Sequence, residues 1–176
     1  MMAIRCGKGS SMYEVGEFIV HPGQGVCRVD EVVDEPQQTY MLMPVVGRHP
    51  IRISYPVSGE DRLRPVVSRD EAQALIDDYE DLGIVEYQGR SGALEEEFFR
   101  GEIRRGSCRD SVRIVKTFRA RIAEVRQRNK RPPVAYERIL KQASERSLSE
   151  LSIALDMPVA DVVALFQEHD ATFSEN

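Results

Sequence analysis

Long apolar runs are missing from this chain. No hydrophobic stretch approaches the roughly 18 to 20 residues a helix needs to cross a bilayer. Residues 1–11 (M-M-A-I-R-C-G-K-G-S-S) have no apolar centre of the kind a secretion signal carries. A disordered tail is expected there, with a functional start at Met12 and the reducing cytoplasm as the setting. Cysteine is scarce. The three, Cys6, Cys27 and Cys108, are too far apart for a metal-type pair, and their number is odd for a disulfide framework. Cys27 sits in a strand-like run and reads as a small buried hydrophobe. The three histidines, His21, His49 and His169, fall in turns or near the C-terminus. No Ser/His/Asp or paired-carboxylate arrangement follows from the spacing, and neither G-x-G-x-x-G nor G-x-x-x-x-G-K-[ST] is present. An enzymatic reading therefore has no chemical support, and no cofactor or metal is expected.

What is present suits one or two small folded domains. The chain has 176 residues, 41% hydrophobic and 30% charged, enough for a core under a soluble surface. The net charge of −5 hides an asymmetry. Residues 99–131 carry twelve Lys or Arg against three Asp or Glu, whereas residues 157–176 carry no Lys or Arg.

The front of the chain reads as strands. Phe18-Ile19-Val20 and Val26-Cys27-Arg28-Val29 flank His21-Pro22-Gly23-Gln24-Gly25. Glycine and proline between two β-branched runs predict a hairpin with a tight loop. Residues 39–46 (T-Y-M-L-M-P-V-V) predict a third strand, with Pro44 marking an edge or a bulge. Ile51, Ile53 and Tyr55 alternate with Arg52 and Ser54, which predicts one buried and one wet face. Residues 63–67 (L-R-P-V-V) close the series. Short strands at this spacing imply a small barrel or rolled sheet, whose edge is either protected or used to add a partner's strand. Arg52 on that edge is either solvated or paired with an acidic partner.

The rest reads as helices. Ser68-Arg69-Asp70-Glu71 fits a capping box, with Leu75, Ile76 and Tyr79 following at helical spacing and Gly83 as the stop. Residues 84–92 read as a linker. A second helix is predicted over 93–105 with Leu94, Phe98 and Ile103 inward. A third starts at Ser107-x-x-Asp110 with the stripe Val112, Val115, Phe118, Ile122 and Val125. Pro132-Pro133 open a fourth, carrying Tyr136, Ile139, Leu140, Ala143, Leu148 and Leu151. Pro158 opens a fifth with Val162, Val163 and Phe166. The expected architecture is α+β: a β-barrel at the front and an all-α part of about five helices.

Two features of the helical half bear on function. Arg105, Arg109, Arg113 and Lys116 are spaced by four, four and three, a row that phosphates along a duplex would accept. With Arg100 and Arg104 they form the candidate DNA-binding set; an acidic protein surface is the other occupant such a row would suit. Residues 148–159 scan like the start of a helix-turn-helix. The would-be recognition helix, residues 159–169, carries Asp161 and Glu168 and no Lys or Arg, so phosphates would repel it. It reads as two packed helices.

Taken together, these residues resemble the CarD/CdnL-type transcription regulators. V-G-E-F-I-V-H-P-G-Q-G-V-C-R-V is similar to that family's first strands and loop, V-G-D-x-V-V-Y-P-x-x-G-x. Tyr55-Pro56-Val57 and Leu63-Arg64-Pro65-Val66 resemble its last strand motifs. Residues 102–118, with Gly106-Ser107 and I-V-K-T-F, resemble its L-x-S-G-D followed by a V-V-R-D-L helix. The resemblance implies a Tudor-like domain over 12–67 that docks on the β subunit of RNA polymerase, as in transcription-repair coupling factor. It implies a helical domain over 68–176 whose basic face touches promoter DNA without reading its sequence and modulates the open complex. Docking would fall on Ile51, Arg52, Ile53, Ser54 and Tyr55. One departure stands out. The family's Trp at the start of the second helix, wedged beside the transcription bubble, has no counterpart; the chain has no Trp, and the matching stretch holds Glu95, Glu96 and Glu97. Carboxylates there oppose phosphate, so DNA contact would rest on the later arginines.

Overall fold

The computed structural model describes residues 12–174, and the chain divides after Pro65 into two compact units. The expected tail over residues 1–11 lies outside the described residues.

The first unit is a five-stranded antiparallel sheet. β1 (Phe18–His21) and β2 (Gly25–Val33) form the predicted hairpin, with Ile19 opposite Cys27 and His21 opposite Gly25. Gly25 takes a φ of +75°, a conformation that favours glycine. β3 (Thr39–Pro44) pairs with β2, and β4 (Ile53–Pro56) pairs with β3. β5 (Arg64–Pro65) lies beside β1. The order is β4-β3-β2-β1-β5, so β4 and β5 are the ends of the sheet. Along β3 the pleat turns Tyr40 and Leu42 into a core shared with Tyr13, Ile19, Cys27, Val29, Val57 and Leu63.

Polar groups tie this small core together. The Tyr40 hydroxyl donates to the Glu60 carboxylate and accepts from the Tyr13 N–H at 3.2 Å. Glu60 also accepts from the Met12 N–H at 2.9 Å. Burial, with the Glu60 hydrogen bond adding to it, pushes the Tyr40 hydroxyl up to about 12.

Two expectations for the sheet are corrected. The bulge is not at Pro44. It lies in β2, where Val29 pairs with Leu42 and Glu31 with Met41, leaving Asp30 as the extra residue. Nor does Ile51 belong to the fourth strand. That ladder begins at Ile53 opposite Leu42. Extending it back two residues would set Ile51 against Pro44, which has no N–H to donate. Ile51 is instead 79% exposed.

The second unit is helical: α1 (Arg69–Asp77), α2 (Gly92–Arg105), α3 (Cys108–Gln127), α4 (Val134–Leu155) and α5 (Val159–His169). Both predicted capping boxes are present, Ser68 with Glu71 and Ser107 with Asp110. The core is aromatic: Phe99 meets Phe118 edge-to-face at 4.8 Å, Phe118 meets Tyr136 at 5.2 Å, and Phe166 stacks on Phe173 at 4.5 Å. α3 packs along α4, and Val162 and Phe166 seat α5 in the same core. Asp156, with a φ of +54°, turns the chain between α4 and α5.

Three helical expectations are corrected. α1 stops at Asp77, not at Gly83, and a 3₁₀ turn (Tyr79–Asp81) follows. Tyr79 there drops into the core against Phe166 and Phe173. Leu94 is not inward but 58% exposed; Phe99 and Ile103 are the buried pair of α2. One turn before Phe99, the inward position holds Glu95, whose carboxylate pairs with Arg121 at 2.7 Å. Residues 84–92 are not a free linker. The Val85 N–H donates to Thr117 Oγ1 at 2.9 Å, and the Tyr87 ring lies 5.3 Å from that of Phe98.

Candidate functional site

The first candidate surface is the β4 end of the sheet. β3 pairs with one side of β4, and no strand pairs with the other among the described residues. Ile53 and Tyr55 are half-buried against the core, while Ser54 points out. Tyr55 is fixed twice: its hydroxyl donates to the Gly59 carbonyl at 2.8 Å, and its ring meets His21 edge-on at 5.2 Å. His21 in turn orders its own loop, with Nδ1 accepting from the N–H groups of Gly23 at 3.0 Å and Gln24 at 3.2 Å.

Arg52 precedes β4 and does not stand alone. It reaches Glu31 at 3.2 Å and Asp30 at 3.9 Å, and Asp30 also pairs with Arg28 at 2.8 Å. The bulge is what offers both carboxylates: the extra residue brings Asp30 and Glu31 side by side beneath the guanidinium. Val45, Val46 and Ile51 are exposed on the segment leading into β4. The third strand, expected over residues 39–46, ends at Pro44, so Val45 and Val46 lie beyond it and outside the predicted docking set.

The second candidate surface is the basic one. Gly106 and Ser107 split the predicted row between α2 and α3. On α2, Arg100 pairs with Glu96 at 2.7 Å and Arg105 with Glu102 at 3.5 Å, while Arg104 is exposed, its carbonyl accepting from the Arg146 guanidinium at 3.2 Å and its own guanidinium meeting no acceptor among the described residues. On α3, Arg109 lies 3.8 Å from Asp78. Arg113 donates to the carbonyls of Gly83 at 3.0 Å and Ile84 at 3.3 Å. Lys116 donates to the carbonyls of Tyr79 at 2.9 Å and Glu80 at 2.6 Å. These carbonyls belong to the 3₁₀ turn after α1 and to the irregular segment that follows it. The α3 half of the row therefore fastens the segment after α1. Sequence spacing offers no sign of this, because the carbonyls lie some thirty residues away.

Cys27 and Cys108 are buried, with the Cys27 thiol 3.7 Å from the Gly25 carbonyl and the Cys108 thiol 3.9 Å from that of Ser147. Among the described residues no group of three or more His, Cys, Asp or Glu is placed to hold a metal ion. No helix there is long and apolar enough to cross a membrane.

A sheet with an unpaired edge, anchored aromatics and an apolar border has the features used in strand addition by a partner. Residues 13–67 match the family model of the CarD-like/TRCF RID domain. The N-terminal unit is thus similar to the RNA polymerase-interacting domain of CarD-like proteins. The matched span ends within three residues of the boundary between the two units and leaves the helical unit outside the match. A comparison with curated proteins gave no match.

Proposed function

We propose that this is a bacterial transcription regulator. Its N-terminal unit, a Tudor-like barrel curved by the Asp30 bulge, docks on the β subunit of RNA polymerase in the cytoplasm. The helical unit contacts promoter DNA without sequence preference and modulates open-complex stability. The observation that carries this reading is the family match over residues 13–67, which spans the whole sheet including the edge strand β4. Docking falls on Ile53, Ser54 and Tyr55 of β4 and on Ile51 and Arg52 before it, with Val45 and Val46 as apolar neighbours. Strand addition at such an edge supplies main-chain hydrogen bonds, and alternate side chains supply specificity.

For DNA, the α2 residues Arg100, Arg104 and Arg105 are better placed than Arg109, Arg113 and Lys116, which face the segment after α1. That engagement, with Glu95–Glu97 at the start of α2, supports a second reading: a protein–protein adaptor with little or no DNA binding.

Capture of purified β subunit by the immobilised chain tests the first half. The expected result is specific retention, lost when Ser54→Pro removes a donor from β4. No retention by the unaltered chain overturns it. Duplex binding that falls steeply with salt supports the DNA half, and none at low salt favours the adaptor.

A further inference from the structure

The turn between α3 and α4 is densely cationic. Residues 125–136 (V-R-Q-R-N-K-R-P-P-V-A-Y) hold four cations, Arg126, Arg128, Lys130 and Arg131, and no anion. All four are exposed. Arg126 and Arg128 are partly answered, by Glu137 at 3.9 Å and by Glu124. Their position at the C-terminal end of α3 also suits the helix dipole. Lys130 and Arg131 have neither explanation. They lie beyond the helix, and their side chains make no hydrogen bond or ion pair among the described residues.

The turn that displays them is rigid. Asn129 is left-handed at a φ of +55°. The Asn129 N–H donates to the Arg126 carbonyl at 2.9 Å, and the Lys130 N–H to the Val125 carbonyl at 3.1 Å. This pair of bonds is a Schellman ending with asparagine in the place glycine usually takes. Pro132 is buried and Pro133 caps α4, which fixes the chain on the far side. Two unanswered cations on an ordered turn lose little backbone entropy on meeting an anion.

We propose that the α3–α4 turn, through Lys130 and Arg131 with Arg128 beside them, grips the phosphates of duplex DNA. This rests on the reading above that the helical unit works beside promoter DNA, and it moves the main contact away from the α2–α3 row. Duplex backbone fits the turn better than the alternatives. Tyr136, the one aromatic in the window, packs on Phe118, so no ring is free to stack on an unpaired base. The exposed apolar groups, Pro133 and Val134, are too small to anchor a protein interface, which commonly relies on Trp, Tyr or Arg seated in a pocket.

The test is fluorescence anisotropy of the full chain on a short duplex of arbitrary sequence, titrated across salt. Each phosphate contact contributes about 0.9 to the slope of log affinity against log salt. Lys130→Ala/Arg131→Ala should lower the slope by about 2 and weaken low-salt binding about tenfold, with an unchanged melting temperature. An unchanged slope overturns the inference, as does a slope that responds only to Arg104→Ala/Arg105→Ala. Loss of β-subunit capture by the Lys130/Arg131 variant, with no duplex binding by the parent chain, would assign the turn to an acidic protein and also overturn it. The two proposals fail separately. If the parent chain does not capture β subunit, the docking reading falls whatever the duplex slopes show; if capture is intact and the slope does not change, the turn alone is wrong.

Discussion

The two units solve the problem of a small core differently. The sheet buries few large side chains and braces them with a polar lattice in which Tyr40, Glu60, Tyr13 and Met12 share hydrogen bonds. The helical unit relies on rings: Phe99, Phe118, Tyr136, Tyr79, Phe166 and Phe173 meet in successive edge and stacked contacts. The lesson concerns charge. In the sheet, ionic groups at the surface arrange backbone that a partner would meet, as Arg52 does over Asp30 and Glu31. In the helical unit, much of an apparent cationic excess is spent on the unit's own carbonyls and carboxylates, and only a remainder is left for a partner.

Substitutions can break that contrast, and the largest effect belongs to the ring core. Phe118→Ala should cost about 3 to 5 kcal/mol, read as loss of the helical unit's transition in urea while exchange protection in β2 and β3 persists. A uniform loss of protection would show that the two cores are not separate in energy. Glu60→Leu should cost the sheet about 1 to 3 kcal/mol, because the buried Tyr40 hydroxyl loses its acceptor. Tyr40→Phe in the same background should recover part of it, and a double variant no better than the single one would remove the lattice from the account. Lys116→Ala should cost about 1 kcal/mol by releasing the Tyr79 and Glu80 carbonyls, with no change in duplex salt slope. A lower slope would return Lys116 to the DNA-binding set.

Arg52 gives a smaller stability effect and a sharper functional one. Its ion pairs are exposed, so Arg52→Glu should cost no more than about 1 kcal/mol in melting. If capture of β subunit falls and Glu31→Arg restores it, Arg52 acts by positioning the entry to β4. If capture falls and is not restored, Arg52 touches the partner itself.

The pH responses are the gentlest comparison. The capping hydrogen bonds from Ser68 hold the Glu71 carboxyl below its ordinary value of 4.5. A depressed carboxyl stabilises the fold above its unfolded value, and that contribution disappears as pH falls through the folded one. Glu71→Gln should therefore blunt acid sensitivity in the helical unit below about pH 4.5. Tyr40 works in the opposite direction. Its hydroxyl is raised from 10.0 to about 12, so the sheet loses stability as pH rises across that interval. Tyr40→Phe should flatten the alkaline arm, which tyrosinate absorbance together with circular dichroism would follow.

Local chemistry was legible in the residues, and distant pairing was not. Ser68-x-x-Glu71 and Ser107-x-x-Asp110 announced two helix starts because a capping box closes within four residues. His21 to Gly25 announced the hairpin for the same reason. The Phe99 line on α2 was missed because Leu94 and Phe98 offered an equally apolar phase, and only the Arg121 partner across the helix pair shows why Glu95 faces inward. Arg113 and Lys116 looked free because the carbonyls they serve belong to another element. The six DNA-binding candidates were chosen along one stretch, whereas the groups that meet three of them, Arg109, Arg113 and Lys116, arrive from the end of α1 and the segment after it. The resemblance to a docking domain was carried by a stretch whose hairpin is local, and the family match covers that stretch.

The extra residue in β2 has a consequence for how this sheet tolerates change in length. Before Asp30 the inward-facing side chains are Cys27 and Val29, and after it the next to pack on the core is Val32. The strand thus switches parity midway, as a sentence changes metre by one added syllable. Deleting that syllable would leave Glu31 outward opposite Met41 and Val32 inward opposite Tyr40, at the cost of one of the two carboxylates under the Arg52 guanidinium, whereas running the strand straight with every residue kept would set Glu31 opposite buried Tyr40 and turn Val32 out to water.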